Sequence, residues 1–379
     1  QCLFRPAAEE GGLGIGLAGA DRVAGQPAGA GIGLLEHRVL AGARQQRPQD
    51  RLRAVRRSGE RFREWFLDEP AVCYARSFDL LRIPYPAWYA FSGVYAQQLI
   101  KPHMVHLLAR TVLIQFKDFE GRLRHLLFNP ADHETGRDTP YFRRLSEQVP
   151  AFLHGTIAPV RGTVLDALAS VGVAPERIDY ITYDHLHTQN LRRWLGADGA
   201  PGLLPNARLL VHRQELASVA GLLPTQADWY CPDGLRGVPG DRILPLDGSV
   251  HLGRGVALVH TPGHTEGNHS LVYRVPDGLR VSSENGVSAD SWAPEARHNA
   301  IRRFAKATGA EVVLNGNTQE GSNDQYLSMV LEKTIAGTSA SHGFSNVVPS
   351  SECSPHWLFP GAPTGHLWGA TQVGQLLSA

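Results

Sequence analysis

The chain has 379 residues, of which 42% are hydrophobic, so it is long enough to bury a substantial core in one large or two modest domains. Its formal net charge of +1 argues against an overall electrostatic attraction to nucleic acid or to an anionic membrane, because such partners require a concentrated basic surface. We therefore expect a small-molecule partner, with no nucleic acid and no membrane.

The four cysteines lie far apart, with no Cys-x-x-Cys pair: Cys2, Cys73, Cys231 and Cys353. Neither a zinc ribbon nor a disulfide framework is indicated, and unpaired thiols are typical of a reducing compartment. No apolar run approaches the roughly 18 to 20 residues that cross a bilayer. We therefore expect a soluble, cytoplasmic protein.

The first part of the chain divides in two by composition. Residues 1–60 are rich in Gly, Ala and Arg, contain no Lys and lack a sustained apolar period, which predicts a disordered low-complexity extension. An arginine-rich segment that binds nucleic acid is the alternative. Residues 61–101 are aromatic and proline-rich, and Pro84 and Pro86 impose extended backbone. This lead-in is expected to pack its rings on the next domain, with an aromatic substrate wall as the alternative.

Residues 102–337 are predicted to form one domain of alternating strands and helices. Apolar β-type runs at 106–116 and 123–128 flank a turn that contains Gly121, which indicates a hairpin. A helix at 162–172 and a strand at 175–183 follow. The later elements are a short helix at 191–196, a helix at 213–222, and strands at 207–212, 242–246, 256–260, 271–275, 280–283 and 311–314. Residues 338–379 show no periodicity and are expected to be a poorly ordered tail, or else a capping segment.

Histidines stand at the ends of two predicted strands. His185 and His187 follow the strand at 175–183 with i, i+2 spacing, so their imidazoles point the same way. The strand at 256–260 ends before Pro262 and Gly263, and His264 follows them directly. Three imidazoles with a fourth position left open are typical ligands of a catalytic Zn²⁺ site. We therefore predict Zn²⁺ on these three side chains.

These motifs carry a family resemblance. The His-x-His pair, followed after a long interval by Thr-Pro-Gly-His-Thr-x-Gly-x-x-Ser from Thr261 to Ser270, resembles the metallo-β-lactamase superfamily over roughly residues 100 to 335. The resemblance implies an α/β fold, an αββα sandwich with a metal centre at the edge between two sheets. It also implies hydrolysis of a small-molecule ester, lactone, thioester or amide through metal-bound hydroxide. A non-catalytic, metal-binding descendant of the fold is the alternative.

The chain departs from the family at the second metal position. The usual first motif is His-x-His-x-Asp-His, and Gln189 and Asn190 stand where the Asp and the last His are expected. By the same resemblance Glu284 matches a bridging Asp, and Asn317 replaces a final His. The implied ligand set is His185, His187, His264, Glu284, Gln189, Asn190 and Asn317. Because an amide oxygen is a poor ligand for Zn²⁺, one tightly held ion is expected rather than two.

The same departures bear on catalysis. The family's aspartate commonly orients or deprotonates the attacking water, and Gln189 cannot accept a proton. The resemblance therefore leaves general-base chemistry to the metal alone, to Glu284 or to Asp184. Asp184 alternates with His185 along the chain, so a structural role, or a role orienting an imidazole, is its alternative.

Overall fold

The structure is a computed structural model that describes residues 35–36, 47–94, 102–131, 133–297, 299–316, 321–358 and 364–378. The strands in these ranges are β1 (Leu35–Glu36), β2 (Tyr74–Pro86), β3 (Met104–Lys117), β4 (Leu123–Phe128), β5 (Tyr180–Thr182), β6 (Gly196–Ala197), β7 (Ala200–Pro201), β8 (Arg208–His212), β9 (Ile243–Leu246), β10 (Val250–Gly253), β11 (Val256–His260), β12 (His269–Val275), β13 (Gly278–Ser283), β14 (Val347–Pro349), β15 (Ser351–Ser354) and β16 (Gln372–Gly374).

The helices in the same ranges are α1 (Pro48–Leu67), α2 (Ala87–Ala90), α3 (His133–Gly136), α4 (Pro140–Gln148), α5 (Ala151–Ile157), α6 (Val164–Ala169), α7 (Arg192–Leu195), α8 (Arg213–Ala220), α9 (Ala289–Trp292), α10 (Ala300–Thr308) and α11 (Ser322–Ala336). No helix in the described part of the chain has both the length and the apolar character needed to cross a membrane.

Two large mixed sheets dominate the fold. The first has the order β1-β10-β11-β12-β13-β14, and its pairs are antiparallel except for β13 with β14. The second has the order β16-β2-β3-β4-β5-β8-β9, with β15 also paired to β3. In the second sheet β4, β5, β8 and β9 run parallel, so their carboxyl ends lie at one edge.

The two sheets pack face to face because their strands alternate between two apolar environments. In β11, Val256 and Leu258 pack with residues of the second sheet, including Ile114 and Phe128, while Val259 faces the helices. Each such buried side chain contributes about 1.5 to 3 kcal/mol through the hydrophobic effect. The period of two thus places one core between the sheets and one on each outer face.

Helices cover both outer faces. On the first sheet, Phe62 of α1 and Ile335 of α11 pack with Val281 of β13. On the second sheet, Leu168 of α6 packs with Ile181 of β5. The layers are therefore helix, sheet, sheet and helix, and the predicted αββα sandwich is confirmed.

The N-terminal boundaries differ from the expected ones. Helix α1 crosses residue 60 and buries side chains at helical spacing, among them Val55, Phe62 and Phe66, so residues 48–60 belong to the packed fold. The expected lead-in forms β2, which pairs with β3 along its length. Pro84 and Pro86 fit there because β16 pairs only with residues 74–76, and the edge of a sheet tolerates proline. The remainder of the predicted extension, apart from residues 35–36 and 47, lies outside the described residues.

The C-terminal expectation was wrong for the part that the structure describes. Instead of a loose tail, β14 pairs with β13, β15 with β3, and β16 with β2. The strand predicted at 311–314 is absent from those residues, although Val312 and Val313 are buried there. Strand β14 occupies the edge beside β13, a pairing that no local pattern specifies.

Candidate metal centre

The loops that follow β4, β5, β11, β13 and β14 converge at one edge of the two sheets. His185 and His187 follow β5 in the second sheet, and His264 follows β11 in the first. The buried strands Tyr180–Thr182 and Val256–His260 end where the sequence turns polar, so both loops begin from rigid backbone. The site is therefore built from both halves of the sandwich.

The three histidines form one cluster. Their candidate ligand atoms all lie within 4.8 Å of one another. The ring centroid of His185 is 4.5 Å from that of His187 and 4.4 Å from that of His264. The side chain of His185 is 10% exposed, and His187 and His264 are buried. The three predicted histidine ligands thus lie together in the structure. His185 is the most exposed of them and lines the pocket.

Asp184 orients the first imidazole. Its Oδ1 lies 2.9 Å from Nδ1 of His185, while Asn129 donates a hydrogen bond to Oδ2. Burial acts to raise the pKa of Asp184, but the adjacent His185 together with Ser350 and Asn129 outweighs it and holds that pKa below its usual value. Burial acts to lower the pKa of His185, but the close contact with Asp184 together with the negative charges of Glu284 and Glu215 outweighs it, so that pKa is raised. The carboxylate and the imidazole therefore stabilise each other's charged forms.

The other two imidazoles are held neutral. Burial, followed by the charge of His185, keeps the pKa values of His187 and His264 well below the usual value. Nδ1 of His264 is buried and has no hydrogen-bond partner among the described residues. A neutral imidazole with a free lone pair is the form that ligates a metal. His187 and His264 meet this test as they stand, and His185 fits a divalent ion such as Zn²⁺ if the ion replaces one of its ring protons.

The backbone conformation constrains the loops that carry the candidate ligands. Thr188 and Asn129 have φ values of 65° and 52°, a left-handed region that costs a β-branched residue such as Thr188 about 1 to 3 kcal/mol. Gly263 has a φ of 142°, and a Cβ there would stand 2.2 Å from the backbone of Gln325. Only glycine permits this approach of the His264 loop to α11.

The two amides of the first motif lie beside the cluster. Gln189 donates from Nε2 to the carbonyl of His187, and Asn190 donates from Nδ2 to Asp138. The side-chain oxygens of both are buried without a hydrogen-bond partner in the described chain. Gln189 lines the pocket of the cluster, whereas Asn190 does not. Asn317, the remaining predicted ligand, lies outside the described residues.

Glu284 lines the same pocket as the histidines. It follows β13 and accepts hydrogen bonds from the hydroxyl and the backbone N–H of Ser351. Burial, and then the negative charge of Asp184, raise its pKa to about 8. Glu284 is thus a carboxyl group that faces the pocket and is poised to exchange a proton near neutral pH.

Sequence reasoning missed the groups that hold these loops. Glu215 of α8 and Glu332 of α11 are buried carboxylates that accept hydrogen bonds from the loop residues, and Ser350 donates to Asp184. In the sequence, a buried glutamate in a helix cannot be distinguished from a solvent-exposed one. Ser350 lies in the segment that was expected to be a poorly ordered tail. No signal in the sequence distinguishes them.

An apolar cavity adjoins the histidine pocket. It has a volume of about 310 Å³ and lies between β2 and the segment that contains α3, α4 and α5. The pocket of the cluster measures about 120 Å³. The residues that line both spaces are Ile83, Ala109, Ala131, Phe142 and Thr188. The two spaces are therefore adjacent. Tyr85 of the expected aromatic lead-in also lines the histidine pocket.

The αββα sandwich and the histidine cluster at the edge of its sheets are the two features that the resemblance to the metallo-β-lactamase superfamily implied. No family model matches the chain. The chain is 27% identical over 124 residues to an N-acyl homoserine lactonase from Bacillus sp., covering 32% of this chain and 44% of that relative. It is also 27% identical over 144 residues to the N-acyl homoserine lactonase AttM of Rhizobium radiobacter, covering 35% and 50%.

The chain thus spans about half the length, or less, of the curated relatives it matches. Among solved structures it is similar to AidC, a dizinc quorum-quenching lactonase in complex with a product. That similarity has a TM-score of 0.44 at 12% identity and covers 82% of this chain and 97% of AidC.

Proposed function

We propose that the protein is a metal-dependent hydrolase of small lactones or esters that carry an apolar acyl group. The observation that carries this proposal is that the three-histidine pocket lies beside an apolar cavity of about 310 Å³ and has five lining residues in common with it. A reacting carbonyl placed at the histidines would have its apolar substituent in the cavity. Pockets of this size and character are typical of small-molecule sites.

His185, His187 and His264 would hold the metal, with Zn²⁺ as the ion that suits three imidazoles. When bound, the ion would supply Lewis-acid polarisation of a carbonyl oxygen and acidification of water. Asp184 acts through His185, because its carboxylate is engaged with that ring, Asn129 and Ser350. It is therefore a positioning residue in this proposal.

Glu284 is the group that would move protons in the pocket. It is a pocket-lining carboxyl group that is not engaged with an imidazole, and Ser351 fixes its orientation. A carboxyl group placed there can take a proton from an attacking water and return it to a leaving alkoxide. No disulfide joins the described cysteines Cys73, Cys231 and Cys353, which supports a reducing, cytoplasmic setting in this proposal.

The relatives favour a lactone within this substrate class, since both are named N-acyl homoserine lactonases. An acyl lactone presents a ring ester and an apolar chain, which match the pocket and the cavity. Each methylene that the cavity buries is worth about 0.8 kcal/mol, or roughly fourfold in kcat/KM.

The test is hydrolysis of an acyl-lactone series of increasing chain length by the Zn²⁺-loaded protein, followed by proton release. We expect kcat/KM to rise with chain length and Glu284→Gln to lower kcat. Leu145→Trp, which fills the cavity away from the histidines, should flatten the dependence on chain length. Leu223→Trp is the matched control, because Leu223 is 64% exposed. Metal binding without turnover of any lactone or ester would support the non-catalytic alternative instead.

A further inference from the structure

Glu215 reaches three separate segments around the histidine cluster. It lies in the first turn of α8 and is 1% exposed. Its Oε1 accepts hydrogen bonds from the backbone N–H of Leu186 at 2.8 Å and from the hydroxyl of Tyr230 at 2.9 Å. Its Oε2 accepts one from the hydroxyl of Thr265 at 2.7 Å. One carboxylate thus joins three segments that are far apart in sequence.

Each of these partners stands next to a candidate metal ligand. Leu186 separates His185 from His187, and Thr265 follows His264. Tyr230 forms a β-bridge with His187, and its ring lies 4.7 Å from that imidazole. A change at the carboxylate would therefore reach both histidine-bearing loops.

The packing around Glu215 leaves it little room to move. A Cβ at Gly267 would stand 2.3 Å from the backbone nitrogen of Glu215, so the His264 loop lies directly against α8. The same loop touches α11 through Gly263 and Gln325. The loop is therefore held between two helices, with the Thr265 hydrogen bond on the α8 side.

The charge of Glu215 is not compensated by a basic side chain. Its three donors are neutral, and no ion pair to it occurs in the described ranges. A buried carboxylate without a cation carries a large desolvation cost, which three hydrogen bonds offset in part. A cation bound at the cluster would compensate this charge.

We infer that Glu215 is a positioning residue that holds the His185–His187 loop and the His264 loop in the geometry that binds a metal ion. This inference rests on the proposed function, because it assigns a role toward the metal at the same site. Partners that orient metal ligands typically contribute 10-fold to 100-fold to metal affinity.

The test measures Zn²⁺ affinity, by competition with a chromophoric chelator, for the wild type, Glu215→Ala and Glu215→Gln. Alanine removes all three hydrogen bonds and should weaken binding about 10-fold to 100-fold. Glutamine keeps an oxygen for Leu186 and Tyr230 and can donate to Thr265, so it should restore most of the affinity. Glu266→Gln is the control, since Glu266 is an exposed carboxylate in the same loop.

Thermal unfolding of the metal-free proteins separates positioning from general stability. If Glu215→Ala does not fold, Thr265→Val and Thr265→Ser answer the same question, because serine keeps the hydroxyl and valine removes it. Wild-type affinity in a destabilised Glu215→Ala would overturn the inference alone. Equal losses in the alanine and glutamine variants would also overturn it, since charge and not hydrogen bonding would then be responsible. A wild type that binds no Zn²⁺ would overturn the proposed function, and the inference with it.

Discussion

At the scale of single residues, burial and the presence or absence of a charged partner decide the protonation state of each histidine. His187 and His264 are buried among other histidines and stay neutral, whereas His185 gains a carboxylate partner. Two imidazoles are thus neutral, and Asp184 orients the third. This arrangement suits a cation even in the absence of a bound ion.

Removal of one imidazole should therefore release the metal. We expect His185→Ala or His264→Ala to lose most bound Zn²⁺ in elemental analysis, because two strong ligands are too few to retain it. His342→Ala is the control, since His342 stacks on His366 away from the cluster. Equal metal content in all four proteins would contradict the site.

Glu332 should make the stability of the metal-free protein depend on pH. Burial raises its pKa from 4.5 to about 6, because its hydrogen-bond donors, which include Ser270, Ser283, Asn285 and Trp292, are all neutral. The folded state then binds the proton more tightly than the unfolded state. Its contribution is complete below pH 4.5 and is lost as the pH rises through 6, a change of about 2 kcal/mol.

Urea unfolding between pH 4 and 7 checks this expectation against Glu332→Gln, which cannot titrate. The free energy of unfolding of the wild type, minus that of the variant, should fall by about 2 kcal/mol over this range. A difference that stays constant with pH would show that Glu332 does not carry the effect.

At the scale of elements, β14 and β15 are integral to both sheets and to the site. The side chain of Arg110 is fully buried and bonds to Glu352 of β15, to Asp79 and to the carbonyl of Pro349. These contacts secure the junction between β14 and β15, where Ser350 donates to Asp184 and Ser351, the first residue of β15, donates to Glu284. The segment after Gly337 thus completes the pocket.

A chain that ends at Gly337 should lose cooperative unfolding. It would leave Arg110 without Glu352 and expose the edges of β13 and β3, and breaking a buried ion pair alone costs about 3 to 5 kcal/mol. A chain that ends at Ala370 is the control, because it loses β16, a strand with largely exposed side chains, and retains β14 and β15. Urea denaturation that gave the same midpoint for the shorter chain and the wild type would contradict this role.

At the scale of the whole molecule, the candidate metal joins the two sheets. His185 and His187 belong to the loop after β5, and His264 to the loop after β11. An ion that binds only the folded arrangement stabilises it by mass action, by about 2.7 kcal/mol at a free concentration of 100 times Kd. Metal binding should therefore stabilise the sandwich as a unit.

We expect one tightly held ion per chain and a melting temperature that rises with free Zn²⁺. Gln189 and Asn190 offer amide oxygens at the second position, and these are weak ligands for zinc. Elemental analysis after dialysis against a mild chelator, together with thermal scans, measures both quantities. Two ions per chain after dialysis would mean that the amides bind more strongly than expected.

By itself the sequence determined the main strands and the histidines that follow two of them, because these are local patterns, and the motifs that those histidines form carried the resemblance that implied the sandwich. Residues 256–259 are all apolar in the sequence, and the structure places Val256 and Leu258 in one core and Ala257 and Val259 in another. Only the tertiary structure decided that β14, and not residues 311–314, pairs with β13, and that Glu215 and Glu332 turn inward. Those outcomes depend on contacts between residues far apart in the chain, where the free energy of burial and pairing outweighs any local preference.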